Sequence, residues 1–151
     1  MGLDMYLTAK KTMPRAVATV LHKIAPDDFT EWNNSWLKTT SQKVKAVAEA
    51  AYWRKANAIH GWFVRNVQGG ADDCGTYPVT AQQLEELRDA CKAVLAGGGE
   101  EEHDLAPTSG FFFGPTDDKT WYTECLEHTV KQLDRVLEDY DGWAFQYYSS
   151  W

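Results

Sequence analysis

Residues 52–67, YWRKANAIHGWFVRNV, gather Arg54, Lys55, Asn57, His60 and Arg65 into one short, aromatic-rich stretch. Guanidinium and ammonium groups hold phosphate or carboxylate oxygens, a primary amide reads polar edges, and an imidazole moves protons near neutral pH. Read as one helix turning about 100° per residue, the stretch places Trp53, Ala56, Ile59, His60, Phe63, Val64 and Val67 on one face. Arg54, Asn57, Gly61 and Arg65 then line the border and the opposite side. The two arginines stand about three turns apart beside Trp53 and Trp62, which suits a phosphate with a stacked base, and Gly61 leaves room for a group to approach the backbone. The competing role for both arginines is pairing with carboxylates of neighbouring helices. His60 is either a satisfied core residue or a general acid or base, with Asn57 one turn earlier as its neighbour.

Other chemistry-bearing residues are scattered. Asp72-Asp73-Cys74-Gly75 reads as a tight loop whose carboxylates either cap a turn or orient a base and activate water. Cys125 and His128 are three residues apart on a helix, but zinc sites need paired Cys or His ligands at set intervals. No metal is expected. Gly110-Phe111-Phe112-Phe113-Gly114 cannot turn all three rings into one core from a strand, so at least one must face a groove, another chain or a ligand. A buried hairpin or crossing strand is the plainer reading. The chain contains no GxxxxGK[ST], GxGxxG, GxSxG or HExxH motif, so nucleotide-fuelled or familiar hydrolase chemistry has no direct support.

The composition sets limits on partners. A chain of 151 residues with 44% hydrophobic content can bury one core and is read as a single domain, residues 1–151. Its formal charge of −7 argues against a nucleic-acid-backbone binder, which needs a dominant basic face. A cation cluster on such a surface needs an anionic balance, from the protein's own carboxylates or from a ligand. Seven Trp, seven Tyr and six Phe exceed ordinary usage, and Trp and Tyr favour binding surfaces. No apolar run approaches the roughly 18 residues of a membrane span, and the N-terminal stretch lacks a signal peptide's apolar segment. Three dispersed cysteines without a CxxC fit reduced thiols in a cytoplasm.

The elements that position these residues follow from periodicity. Leu3, Met5 and Leu7 alternate with Asp4, Tyr6 and Thr8 as in a strand with one buried face. Residues 16–24, AVATVLHKI, are rich in β-branched side chains and suggest a second strand. Phe29, Trp32 and Trp36 suggest a short helix, whereas residues 38–51 suit either helix or strand. The glycines of residues 68–75 end the central helix in a loop. Thr80 with Gln83 forms a capping box for a second helix carrying Leu84, Leu87, Ala90, Cys91 and Leu95 inward, and the glycines at 97–99 end it. Residues 100–104, EEEHD, read as a solvated loop. A third helix starts near Thr116 with Asp117 and Asp118 in its first turn, burying Tyr122, Cys125, Leu126, Thr129, Leu133, Val136 and Tyr140. Asp141-Gly142 then turns the chain into a last strand, WAFQYYSSW. The expectation is an α+β fold, a small antiparallel or mixed sheet built on the terminal strands and covered by about three main helices.

The ordered set MGLDMYL, YWRKANAIHGWFVRNVQ, DDCGTY, TSGFFFGPT with WY downstream, and YYSSW resembles a widespread family of small phage and prophage proteins. Members are sometimes labelled "phosphoglycerate kinase", but this chain is far too short for that two-domain enzyme and has no phosphate loop. The resemblance covers residues 1–9 and 52–151, while residues 10–45 match nothing in it. Its motifs fall on Asp4, Tyr6, Trp53, Arg54, Lys55, Asn57, His60, Asp72, Asp73, Cys74, Gly75, Phe111, Phe112, Phe113 and Trp151.

The resemblance implies a phage-encoded protein acting in the cytoplasm of an infected bacterium. Small phage proteins of this kind include sponges that trap nucleotide-derived immune signals of the host. The expected function is therefore binding of a small, anionic, nucleotide-like ligand, without cofactor, metal or turnover. The expected ligand-binding residues are Trp53, Arg54, Lys55, Asn57, His60, Arg65, Asp73 and Phe112. One alternative is an enzyme that degrades such a signal with His60, Asp72 and Asp73. Another is a module that docks on a host protein. The aromatic excess further suggests a homodimer or higher homo-oligomer built through the terminal strand, with Trp151 as a cap on the monomer's own core as the competing arrangement.

Overall fold

Strand β1, Asp4–Pro14, organises the architecture because its residues alternate between the core and the opposite side of the sheet: Leu3, Met5, Leu7 and Ala9 are fully buried, whereas Tyr6, Thr8 and Lys10 are half-buried. In this computed structural model, residues 2–24, 31–32 and 43–151 are described, apart from the side chains of residues 22, 31 and 32. The chain runs β1, α1 (Arg15–Ile24), β2 (Glu31–Trp32), β3 (Lys43–Arg54), α2 (Asn57–Asn66), β4 (Thr76–Val79), α3 (Ala81–Leu95), α4 (Lys119–Asp139) and β5 (Ala144–Ser150). The strands form one antiparallel sheet in the order β2-β3-β1-β5-β4, and helices pack against it. The expected α+β fold is what is seen, with both terminal strands in the sheet.

Register explains which side chains face in. Along β3, Val44, Ala46, Ala48 and Ala50 are buried, then the parity changes and Ala51 and Trp53 are buried instead. The change coincides with a register shift, Leu7 pairing Ala51 and Thr8 pairing Glu49, so that Ala50 is the extra residue of a bulge. The bulge turns Trp53 into the core and leaves Tyr52 and Arg54 on the other side. There Tyr52, Tyr6 and Tyr148 lie opposite one another on three adjacent strands, with ring centroids 5.3 and 5.5 Å apart.

On the core side, Ile59 and Phe63 of α2, Leu84, Leu87 and Cys91 of α3, and Leu126, Leu133 and Val136 of α4 join one apolar cluster with the sheet. Met13, Val44 and Ala46 form a smaller cluster with Ala18 of α1. The capping box is present, with Thr80 Oγ1 accepting from Gln83 N at 3.1 Å and Thr80 N donating to Gln83 Oε1 at 2.9 Å. Asp118 caps α4 by accepting from Trp121 N at 3.0 Å, so that helix begins at Lys119 rather than near Thr116.

Several expectations change. Residues 16–24 are helical, not a strand: Ala18 and Leu21 alone need to face the small cluster, and that spacing belongs to a helix despite the β-branched content. Trp32 lies in strand β2, while Phe29 and Trp36 fall outside the described residues. The ambiguous stretch 38–51 resolves as strand from Lys43 onward. β4 was not foreseen.

The seam expected for a dimer also fails. β5 is an interior strand between β1 and β4, so the terminal strand offers no free edge. β4 is an edge and carries Pro78, a residue that discourages further pairing there. The edge of β3 at Tyr52 is closed by α4: Tyr52 N donates to Gln132 Oε1 at 3.0 Å and Gln132 Nε2 donates to Tyr52 O at 2.9 Å. Arg135 Nη2 donates to Ala50 O at 2.6 Å beside it. Trp151 is half-exposed, packed edge-on against Phe113.

Candidate functional site

The expected helix starts late. β3 continues through Tyr52, Trp53 and Arg54, and Lys55 turns the chain with a left-handed φ of 53° before α2 begins at Asn57. Lys55 N donates to Leu3 O at 2.7 Å, which ties this turn to the start of β1. Trp53 and Arg54 therefore sit on opposite sides of a strand end, not along one helical stripe with Asn57 and Arg65.

What they do line is a cleft of about 270 Å³ between the end of β3 and the first half of α4. Tyr52, Trp53, Arg54 and Ala56 form one wall, and Trp121, Glu124, Cys125 and His128 form the other. The α4 residues recur at three- and four-residue steps, which puts them on one face of that helix. The walls are fastened to each other. Trp53 Nε1 donates to Thr129 Oγ1 at 3.0 Å, Trp121 Nε1 donates to Lys55 O at 3.3 Å, and His128 Nε2 lies 3.3 Å from Tyr52 O.

The rim of this cleft holds its charge. Arg54 is 57% exposed at the side chain and its nearest carboxylate, Asp4, stands 3.7 Å away. Asp4 Oδ1 is already engaged by Tyr52 Oη at 2.5 Å, a hydrogen bond that raises the Tyr52 pKa by favouring the protonated phenol. The guanidinium thus keeps donor capacity toward solvent or a ligand. Cys125 is no nucleophile here, since burial, assisted by Glu124, pushes its thiol up to about 11. Among the described residues, no group of three His, Cys, Asp or Glu side chains converges to hold a metal ion.

His60 belongs to a different assembly. Its ring is fully buried and bound at both nitrogens, Nδ1 2.7 Å from Tyr147 Oη and Nε2 3.1 Å from Asp72 Oδ2. A carboxylate only accepts, so Nε2 carries the proton, and Nδ1 accepts from the Tyr147 hydroxyl. Asp72 Oδ1 also receives Trp151 Nε1 at 3.1 Å. Burial lowers the His60 pKa and outweighs the opposing pull of Asp72, so the imidazole is held neutral. Phe113 closes over the ring edge-on at 5.0 Å.

The remaining candidates are occupied by their own chain. Asn57 is buried and donates through Nδ2 to Pro115 O at 2.9 Å and Phe113 O at 3.3 Å, while Oδ1 accepts from Thr108 N at 3.1 Å. It clamps the loop before α4 and is not His60's partner. Arg65 Nε donates to Asp104 Oδ1 at 2.5 Å and its Nη2 to Asp104 O at 3.0 Å, so the ion-pair role describes this arginine. The space above Gly61 is filled by the Thr108 hydroxyl, which a Cβ at that position would strike. Asp73 is lowered in pKa by accepting from Tyr77 Oη and from Gly75 N, and it lies apart from His60. Trp62 is buried.

The phenylalanine run forms a turn rather than a hairpin or strand, and its three rings part company. Phe113 faces the core, Phe112 is half-buried with its carbonyl accepting from Leu3 N at 3.0 Å, and Phe111 is 95% exposed. Lys55 borders a recess of only about 10 Å³ beside Asn57, room for no more than about one water. Of the eight expected binding residues, Trp53 and Arg54 share the cleft and Lys55 adjoins it. The others are dispersed. Trp121, Glu124, Cys125 and His128 were missed as site residues, although their spacing was readable as a helical stripe. Compared with family models, curated proteins and solved structures, the chain has no match.

Proposed function

We propose that this protein binds a small anionic ligand carrying a planar ring, with the ring in the cleft between β3 and α4 and the anionic group on Arg54. The observation that carries this reading is the pairing of a tryptophan-walled cavity of about 270 Å³ with a largely exposed guanidinium at its rim. Aromatic walls supply stacking area, and the guanidinium suits phosphate or carboxylate oxygens in a way lysine does not. Within the phage setting that the sequence motifs imply, the ligand class is a nucleotide-derived signal, held rather than converted, in the cytoplasm of the infected host.

Sequestration is favoured over turnover because the residues assigned to catalysis do not meet a ligand. His60 is sealed in the core, Asp72 is engaged with it, and Asp73 faces Tyr77. The Cys125 thiol in the cleft stays protonated. Docking on a host protein is supported by one feature, the fully presented Phe111 ring.

The test is a thermal-shift screen of the protein against cyclic dinucleotides and ADP-ribose derivatives. A true ligand near 100 times its dissociation constant stabilises by about 2.7 kcal/mol, a rise of several degrees. Arg54→Ala and Trp121→Ala abolish that rise without unfolding the chain. A panel that leaves the melting temperature unchanged, or a shift that survives both substitutions, sinks the assignment.

A further inference from the structure

The cleft between β3 and α4 has a hydrogen-bonding polarity, which follows from the atoms its own chain already engages. Trp53 Nε1 donates to Thr129 Oγ1 and Trp121 Nε1 to Lys55 O. The Tyr52 hydroxyl donates to Asp4 Oδ1. An indole has one donor and no acceptor, so each tryptophan has only its ring left for a guest. Three polar side chains of the lining keep capacity: Arg54 on the β3 wall, and Glu124 and His128 on the α4 wall.

Those three divide by wall. A guanidinium only donates. Glu124 and His128 are four residues apart on α4 and so stand one turn apart on the same face. Glu124 is exposed, and among the described residues its carboxylate enters no hydrogen bond or ion pair. Ionised, it only accepts. His128 Nε2 lies 3.3 Å from Tyr52 O, a carbonyl that also accepts from Gln132 and has a lone pair for each. Nε2 therefore carries the proton, and in the neutral ring the other nitrogen is an acceptor. Cys125 adds a protonated thiol, a weak donor. The strong groups thus donate from one side of the cleft and accept from the other.

A guest with its anionic group on Arg54 must turn hydrogen-bond donors toward α4, because an accepting atom set against Glu124 is repelled by the carboxylate. That requirement separates the common nucleobases. Adenine and cytosine each place an amino group beside a ring-nitrogen acceptor, and uracil and thymine flank a single N–H with two carbonyls. Guanine alone sets two N–H donors side by side, N1–H and the 2-amino group, which match the two oxygens of one carboxylate. Resting on the assignment of a planar anionic ligand to this cleft, we infer that the ring it takes is guanine. Glu124 is the residue that selects it, accepting from N1–H and the 2-amino group.

The test measures dissociation constants of guanosine, inosine and adenosine monophosphates for the full chain by isothermal titration calorimetry. All three carry the same ribose and phosphate, and inosine keeps N1–H but lacks the 2-amino group. Guanosine monophosphate is expected to bind at least about tenfold more tightly than adenosine monophosphate, with the inosine compound between them. Glu124→Gln replaces one accepting oxygen by a donating amide and reduces the preference to within about twofold. Glu127→Gln, exposed on the same helix but outside the cleft lining, keeps it. Melting curves establish that each variant is folded. Equal affinity for the three nucleotides overturns the choice of guanine and leaves the ligand-binding cleft standing. A guanine preference that survives Glu124→Gln overturns the role of that residue. No saturable binding of any of the three at millimolar concentration overturns the cleft assignment and the guanine inference together.

Discussion

The protein contains two histidine-bearing assemblies that differ in what their polar atoms still have to offer. Around His60, both ring nitrogens are taken up by Tyr147 and Asp72, and Asp72 in turn receives Trp151, with Phe113 as a lid. Around His128, the ring is exposed beside Trp121 and Arg54, and the neighbouring cavity is open. The first arrangement joins α2, the 68–75 loop and β5 into one unit, and the second leaves the Arg54 guanidinium with spare donors at a surface. Residue type therefore does not decide role here. Saturation of hydrogen-bonding capacity does.

If that contrast is sound, the buried assembly answers to mutation through stability and the open one through binding. The largest effect is expected for His60→Ala. It leaves a cavity and unpairs both the Tyr147 hydroxyl and a largely buried carboxylate contact, worth about 3 kcal/mol. For a chain of this size that lowers the melting temperature by roughly 6–12 °C, measured by circular dichroism. A drop of under about 2 °C would mean that the imidazole is not a structural joint.

A smaller effect follows from pH. The folded chain resists protonation of His60, whose pKa is lowered from 6.5 by burial, whereas the unfolded chain takes the proton up at that ordinary value. Stability from this group is complete above pH 6.5 and is lost as the pH falls from there toward the lower folded value. Melting temperatures of the parent should therefore decline between about pH 7 and pH 5 more steeply than those of His60→Gln. Parallel curves would show that the proton uptake of His60 is the same folded and unfolded.

The smallest stability effect belongs to Arg54→Ala. Its side chain is 57% exposed and its ion pair is long, so the change in unfolding free energy stays within about 0.5 kcal/mol. Denaturant titration reads this directly. A loss of 2 kcal/mol or more would move Arg54 from the open class to the structural one, and weaken its assignment to a ligand.

Much of the fold was legible because it rests on local signals. The alternation of Leu3, Met5 and Leu7, the Thr80–Gln83 capping box and the inward stripe of α4 each lie within one element. What was not legible depends on distant partners. The helical reading of residues 53–67 failed only before Asn57, because the spacing of Trp53, Ala56 and Ile59 fits a 3.6-residue period while Tyr52 and Trp53 are needed by the sheet. Lys55 takes a left-handed φ that no lysine advertises.

The same limit applied to the site. The partners that settle Arg65 and His60 lie 39 and 87 residues away in sequence, at Asp104 and Tyr147. The bulge at Ala50, which decides that Trp53 faces in and Arg54 out, leaves no mark on composition. The cleft was half visible: Trp53 and Arg54 of one wall were named in advance, whereas of the other wall only Cys125 was placed, on the buried face of its helix.

The double hydrogen bond between Gln132 and the Tyr52 peptide group has a consequence for recognition. An amide side chain stands there as a neighbouring strand's peptide would, and it fixes α4 to β3 just beside the cleft. With Trp53 bound to Thr129 and Trp121 to Lys55, the two walls move as one body. A guest arriving between them meets a cavity already at its final width. Little rotamer or backbone freedom remains to be surrendered on complex formation, so more of the contact energy is retained as affinity.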